Sequence, residues 1–412
     1  MLEQETTAPY PVLDDGPVLL RRLTDHDAAA FAAIHHDPLN VKWTAADAAM
    51  TPERAAALIA GPIADGWRNG DLLRFAVVER RDGAENVVGT LSLQDVRRTD
   101  HGGAAAVGIK MLASGRGRGS ATRAVELACG YAYGVLGLEV LHWRTTVGNT
   151  ASRALAERCG FALAAEIPGF GQVDGRITDG WMFSQGVASW QARGDSAYPE
   201  AVSADAAAVA PAAAETLDIE AVVPRLSDGD VVLRALCHAD AEQLVLNCVN
   251  EDAVRWTTVP LGYTREHADY FINTLTVDGW RNREVLTFAV ADSSTDTLLG
   301  TVDLQCKHPG AASIGINFGT HARGTGAAEK AVRLVADYAF NELNLSFLHW
   351  HALAPNWGSR KLAWKLGFTF HGEIRGDYND RGTPADRWIL SLAAGDARTP
   401  QGPWTGPAPL KR

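Results

Sequence analysis

Two short stretches of this sequence have the residue types of an anion site. One reads RGRGSA, from Arg116 to Ala121, and the other reads RGTGAA, from Arg323 to Ala328. Each follows a run with strand character, AAVGIKML or AASIGINFG, and precedes a run with helical apolar spacing. Glycines permit a tight turn in which successive amide N–H groups face one point. The helix N-terminus adds partial positive charge there, and arginine adds a fixed cation shaped for phosphate oxygens. The chemistry is anion binding, and a pyrophosphate is the obvious guest. A dinucleotide fingerprint would need a third glycine and an acid about 20 residues on. The third glycine is absent from both stretches, and Glu139 of the first is matched only by Ser346 in the second. A P-loop would need Gly-Lys-Ser/Thr, which neither contains.

Further polar residues recur at fixed distances behind each turn. An Asn-x-x-Ser pattern occurs at Asn149 and Ser152 and again at Asn356 and Ser359. His142 and His349 stand in identical LHW contexts, where hydrogen bonding inside a sheet is favoured over a proton relay. Carboxylates are less regular. Asp303 has Ser92 at its matching position, and Asp95 is opposite Cys306.

These coincidences are parts of one internal repeat. Residues 116–161 align with 323–368 without a gap, and about 21 of the 46 positions are identical. Upstream, DGPVLLRRLTDHD at Asp15 pairs with DGDVVLRALCHAD at Asp228, and GWRNGDLLRFAVV at Gly66 pairs with GWRNREVLTFAVA at Gly279. The period exceeds 200 residues, so each unit is a whole domain. The expected organisation is a first domain over 1–190, an alanine-rich linker over 191–222, a second domain over 223–395 and a Pro/Gly-rich tail over 396–412 that adds no core. The linker is clearest in AVSADAAAVAPAAAE, from Ala201 to Glu215. Two equivalent units can pack as an internal pseudo-dimer, and a homodimer is a further option.

Composition narrows the partners. The net charge is −11, which gives no electrostatic support for nucleic-acid binding. No apolar run is long enough to span a bilayer. The opening MLEQETTAPYPVLDDG lacks the basic and apolar regions of a secretory signal. Cys129, Cys159, Cys237, Cys248 and Cys306 include no C-x-x-C pair and share no aligned position. That suits reduced thiols in the cytoplasm and argues against cysteine catalysis. His35 and His36 have no counterparts in the second copy, so no metal is expected.

The elements that must position these residues follow from local pattern. In the first copy LLRFAVVE and NVVGTLSLQDV read as strands around a turn, RRDGAEN. Ala121 to Leu136 reads as a helix with Val125, Ala128, Ala132 and Val135 on one stripe, and Asn149 to Cys159 as a second helix closed by Gly160. VLHWRTTV and RITDGWMFS read as strands. The expected class is α/β, an α+β mixed sheet with one or two crossover helices, present twice in tandem.

Strand, RGxGxA, helix, strand and then NxxSRxLAxxxGF resembles the GNAT superfamily of acyl-CoA-dependent N-acetyltransferases. LHW, Asn-x-x-Ser and the late D-x-W strand (Asp179 and Trp181, Asp386 and Trp388) are most similar to the RimJ/RimL type, which includes ribosomal-protein N-terminal acetyltransferases. The resemblance covers nearly all of both units. It implies an acetyl group moved from acetyl-CoA to a primary amine on a peptide N-terminus, an amino acid or a small molecule. It equally admits an acyl-CoA-binding regulatory module with one or both copies non-catalytic.

By position, the resemblance assigns the coenzyme A pyrophosphate to Arg116, Gly117, Arg118, Gly119, Ser120, Ala121 and Thr122, and to Arg323, Gly324, Thr325, Gly326, Ala327, Ala328 and Glu329. It assigns the pantetheine arm to a splayed strand at Lys110, Met111 and Leu112 and at Asn317, Phe318 and Gly319. Asn149 and Asn356 would contact the cofactor near the pantetheine. The tyrosine that many relatives use as the acid is replaced by Ala156 and Ala363, so Ser152 and Ser359 become the candidate acids. The strand glutamate common in relatives is absent, which leaves Asp303 or Asp95 as candidate bases. The N-terminal part of each copy would wall the acceptor pocket. There Trp43 pairs with Trp256 and Trp67 with Trp280, while Trp357 and Trp364 occur only in the second copy. Core packing is the expected role of Trp67 and Trp280.

Overall fold

The computed structural model describes residues 10–99, 102–173, 176–194, 219–381 and 383–407. The Ala201–Glu215 linker lies outside them. Two eight-stranded sheets are present, one in each repeat. The first contains β1 (Leu13–Asp14), β2 (Val18–Arg22), β3 (Leu73–Arg81), β4 (Ala84–Thr99), β5 (Gly102–Met111), β6 (Val140–Thr146), β7 (Ala162–Val173) and β8 (Arg176–Gly186). Their spatial order is β1-β2-β3-β4-β5-β6-β8-β7. The second contains β9 (Leu226–Ser227), β10 (Val231–Arg234), β11 (Val285–Asp292), β12 (Leu298–His308), β13 (Ala311–Phe318), β14 (Phe347–Leu353), β15 (Thr369–Asp380) and β16 (Thr383–Ala393), in the corresponding order. β5 with β6, and β13 with β14, run parallel. The helix that crosses over between them is the one that follows the glycine turn. This is the mixed α/β class the pattern predicts.

Among the described residues, compactness groups those within 1–166, 170–211 and 374–386 into one unit, and those within 167–169, 212–373 and 387–412 into a second. In the first, the helix Ser120–Gly134 buries Ala124, Val125, Ala128 and Ala132. In the second, Ala327–Asn341 buries Ala331, Val332, Val335, Ala336 and Ala339. Small side chains on these faces let the helix lie close to the sheet, where burial of apolar surface stabilises it.

Local differences from expectation have simple causes. The turn RRDGAEN shrinks to Asp82 and Gly83, both at positive φ (52° and 77°), and the flanking residues pair directly, Arg81 with Ala84. Two left-handed residues make the tight hairpin that matches strand twist. The tail, expected to add no core, lays Trp404 against Trp357 and Trp364, with ring centroids 6.1 and 5.5 Å apart. Trp364 Nε1 also donates to the Gly402 carbonyl at 2.8 Å. Trp357 and Trp364 therefore serve as a seat for the tail. No described helix is long and apolar enough to cross a membrane.

Candidate active site

The glycine turns have the backbone that anion binding requires. Gly117 and Gly119 have φ of 74° and 85°, and Gly324 and Gly326 have 78° and 91°. A Cβ at any of the four would meet no atom within 4 Å. The glycines are thus demanded by backbone conformation, and the space beside them is open. In the first turn none of the amides from Gly117 to Thr122 finds a backbone acceptor among the described residues; the first such bond is Arg123 N–H to the Gly119 carbonyl. The second turn matches, with Lys330 bonding to Gly326, except that the Ala327 amide reaches its neighbour Thr325 Oγ1 at 3.3 Å. Clustered unbonded donors at the start of a helix are the physical basis of phosphate binding there.

The arginines do something different from what the sequence suggests. Arg116, expected to face phosphate, ion-pairs with Asp37 and donates to the Met111 carbonyl. Asp37 in turn accepts from the amides of Leu39 and Asn40 at the start of the helix Pro38–Trp43. Arg323 likewise pairs with Asp252 and donates to Asn250 Oδ1 at 2.8 Å and to the Phe318 carbonyl at 3.2 Å. Both guanidinium groups pin the early helices to the end of a strand. Other side chains of the turns also face protein. Ser120 Oγ donates to Glu79 at 2.8 Å, Arg118 reaches the same carboxylate at 3.3 Å, and Glu329 accepts from Arg333 at 3.0 Å.

Just before each turn the parallel strands part. β5 pairs with β6 only from Ala104/Val140 to Val107/Trp143, and β13 pairs with β14 only from Ala311/Phe347 to Ile314/Trp350. Gly108 to Met111 and Gly315 to Phe318 continue on β4 and β12 alone. Each sheet therefore opens in a V, with Lys110 and Met111, or Asn317 and Phe318, on one arm. Leu112 and Gly319 lie just past it, where their amides bond the carbonyls of Val88 and Leu299. The Met111 carbonyl also receives Asn40 Nδ2 at 3.2 Å.

The other arm leads to Asn-x-x-Ser. Asn149 and Asn356 cap their helices by accepting from the amides of Ser152 and Ser359, at 3.2 and 3.0 Å. The serines are thus not the caps. Their hydroxyls accept from buried indoles, Trp143 Nε1 to Ser152 Oγ at 3.0 Å and Trp350 Nε1 to Ser359 Oγ at 2.9 Å. A hydroxyl oxygen that accepts an N–H keeps its own proton to give, and the same N–H stabilises the oxygen as that proton leaves. The signal for this pair in the sequence is the tryptophan of LHW, which recurs at a fixed distance ahead of each Asn-x-x-Ser.

The two LHW histidines are structural. His142 Nε2 lies 2.8 Å from the Arg375 carbonyl within the first unit, and His349 Nε2 lies 2.8 Å from the Pro168 carbonyl within the second. Both are buried. Trp67 and Trp280 are core residues anchored by their indoles, to the carbonyls of Arg74 at 3.1 Å and Thr287 at 2.9 Å. Trp43 and Trp256 stay half-buried beneath the neighbouring cations Lys42 and Arg255.

Where the V opens, the candidate bases separate. Asp303 is opposite Gly315 on β13 and Thr287 on β11. A Cβ at Gly315 would meet its carboxylate at 2.4 Å, so glycine makes the room this side chain occupies. Its carboxylate accepts from Gln305 Nε2 at 3.1 Å. Burial pushes its pKa up to about 6, against the smaller opposing effect of Gln305. Asp95, in contrast, is exposed, in left-handed backbone (φ 50°) beside the register shift of β4. The first unit has Ser92 at the place of Asp303, and Gln94 Nε2 donates to its hydroxyl at 2.7 Å. Arg74 and Lys110 lie on the same sheet face; the sequence marks Arg74 only as a strand residue and Lys110 only as part of the pantetheine strand.

An acetyltransferase (GNAT) domain model matches residues 18–162 and again residues 230–369, so both turns and both Asn-x-x-Ser patterns fall inside matched segments. The probable N-acetyltransferase YjcK of Bacillus subtilis (strain 168) is 32% identical over 154 residues, covering 32% of this chain and 85% of that protein. The uncharacterized N-acetyltransferase YoaA of the same organism is 25% identical over 172 residues, covering 41% and 96%. A solved structure of a ribosomal-protein-S5-alanine acetyltransferase from Vibrio fischeri matches with TM-score 0.39 at 18% identity, covering 44% of this chain and 98% of that one. The chain belongs to the GNAT acetyltransferase family, and it carries that family's domain twice.

Proposed function

We propose that this chain is an acetyl-CoA-dependent N-acetyltransferase with one cofactor site per repeat, moving the acetyl group directly to a primary amine. The observation that carries the reading is the run of amides without a backbone acceptor from Gly117 to Thr122, repeated at Gly324 to Glu329, at the mouth of each V. These amides hold the pyrophosphate of coenzyme A, and the arms at Lys110 to Leu112 and Asn317 to Gly319 take the pantetheine. Arg116 and Arg323 act behind the turn, as positioning residues. Asn149 and Asn356 hold Ser152 and Ser359 at the helix start, and each serine gives its proton to the departing thiolate. In the second site Asp303 takes the proton of the incoming ammonium, because a carboxyl with pKa about 6 is ionised at neutral pH and basic enough to accept. The acceptor is an amine-bearing small molecule or a peptide N-terminus. The domain limits 1–190 and 223–395 and a cytoplasmic setting go with this reading.

Calorimetric titration with acetyl-CoA counts the sites, and two per chain are expected. Release of free thiol across an amine panel measures transfer. Binding without thiol release from any amine would favour an acyl-CoA sensor, and no binding would overturn both readings.

A further inference from the structure

The equivalent sheet faces of the two repeats carry charge of opposite sign, each charged residue being matched by a neutral one in the other repeat. In the first, Arg74 is opposite Ser92, which is opposite Gly108, and Lys110 is opposite Thr90 in the next row of the same face. In the second, the same places hold Thr287, Asp303, Gly315 and Asn317. His35, whose helix Ala28–His36 packs over this region, is matched by Cys248. The first face thus presents two cations and an imidazole. The second presents one carboxylate among neutral groups.

The cations of the first face are half-buried and make no ion pair among the described residues. Burial depresses Arg74, and burial together with Arg74 brings Lys110 down to about 8. His35 is held near 4 by burial and by both cations. Its Nδ1 accepts the Asp47 amide at 3.0 Å, and the Asp47 carboxylate is itself bound by Arg54 at 2.5 Å. Two partly desolvated cations side by side are unfavourable unless an anion joins them. Other arginines near these sites have their counter-charge: Arg116 has Asp37, Arg323 has Asp252 and Arg234 has Asp240.

We infer that the first site takes an acceptor whose amine lies close to an anionic group, a carboxylate or a phosphate-type oxyanion, seated on Arg74 and Lys110, whereas the second takes an acceptor without one. This rests on the proposed acetyl transfer for the word acceptor, but the binding it describes is measured without turnover. Charge-assisted bonds to two cations discriminate an anion from its neutral isostere, while the Asp303 face repels it.

The test is calorimetric titration of the full chain, saturated with coenzyme A, with alanine, alaninamide and 1-aminoethylphosphonate. At least one anionic probe is expected to bind about tenfold or more tighter than alaninamide. Which one distinguishes carboxylate from phosphate-type acceptors. The double variant R74T/K110N places the second repeat's residues on the first face, a combination already compatible with this fold, and is expected to abolish the preference. R74K keeps the charge and is expected to retain much of it. Equal binding of all three probes, no binding by either anion, or an unchanged preference in R74T/K110N would overturn the inference. So would a loss of coenzyme A over dephospho-coenzyme A discrimination in R74T/K110N, because the anion would then be the cofactor's own 3′-phosphate. Thiol release is read separately, and its failure with bound anion would count against acetyl transfer and leave the anion site standing.

Discussion

Trp350 donates its indole N–H to Ser359 Oγ at 2.9 Å, and Trp143 does the same to Ser152 at 3.0 Å. The bond orients the hydroxyl so that its proton faces away from the buried indole. Ser359→Ala and Ser152→Ala are therefore expected to lower kcat by about 10–1000-fold at their own sites. Trp350→Phe removes the supporting donor and keeps the ring, with a loss of roughly tenfold. Steady-state thiol release checks this. If the serine variants retain full kcat, the proton comes from elsewhere.

Asp303, as the proposed base, is expected to make the second site pH-sensitive. Its folded-state pKa of about 6 predicts an ascending limb of the rate near that pH, absent in Asp303→Asn. Stability follows the same group with a definite sign. Burial raises the folded pKa above the unfolded value near 3.9, so the native state holds the proton more tightly. The group's contribution to stability is complete below the unfolded pKa and is lost as pH rises through about 6. Asp303→Asn is expected to gain on the order of 1–2 kcal/mol over the parent at neutral pH, after allowance for its partial exposure. Denaturant titrations across pH 4–7 decide it, and a parent curve without that fall contradicts the shift.

The two turn arginines separate by the exposure of their partners. The Asp37 side chain is 6% exposed and Asp252 is 62% exposed. Arg116→Ala leaves a buried carboxylate without its cation and is expected to cost about 2–4 kcal/mol. Arg323→Ala is expected to cost under about 1 kcal/mol. Thermal unfolding measures both. Loss of acetyl-CoA affinity with no loss of stability in either variant would make that arginine a phosphate ligand.

Gly119→Ala and Gly326→Ala test the turns through backbone conformation. Space is open around each Cβ position, but φ is 85° and 91°. Alanine there costs about 1–2 kcal/mol, or turns the amides out of line to escape the strain. Reduced acetyl-CoA affinity at the altered site, seen as one fewer tight site by calorimetry, is the expected result.

Much of this molecule is legible in residue pattern because its determinants are local. Glycines at two positions before an alanine-rich helix specify the turn, since other residues are strained at positive φ. Strand alternation and helical stripes specify the elements and hence the mixed sheet, and alignment of 116–161 with 323–368 exposes the duplication without any contact being known. What pattern could not supply is pairing between distant residues. Asp37 and Arg116 are 79 positions apart, so an arginine shaped for phosphate could not be seen to have a carboxylate already. The Trp–Ser bond joins a strand to the helix that follows it and depends on how that helix folds back on the strand, and the tail's hold on Trp357 and Trp364 depends on a fold-back that proline and glycine content does not encode. The charge of each acceptor face is likewise a tertiary property. Arg74, Ser92 and Gly108 become neighbours only when three strands take register, and the same register places Thr287, Asp303 and Gly315 together in the second copy.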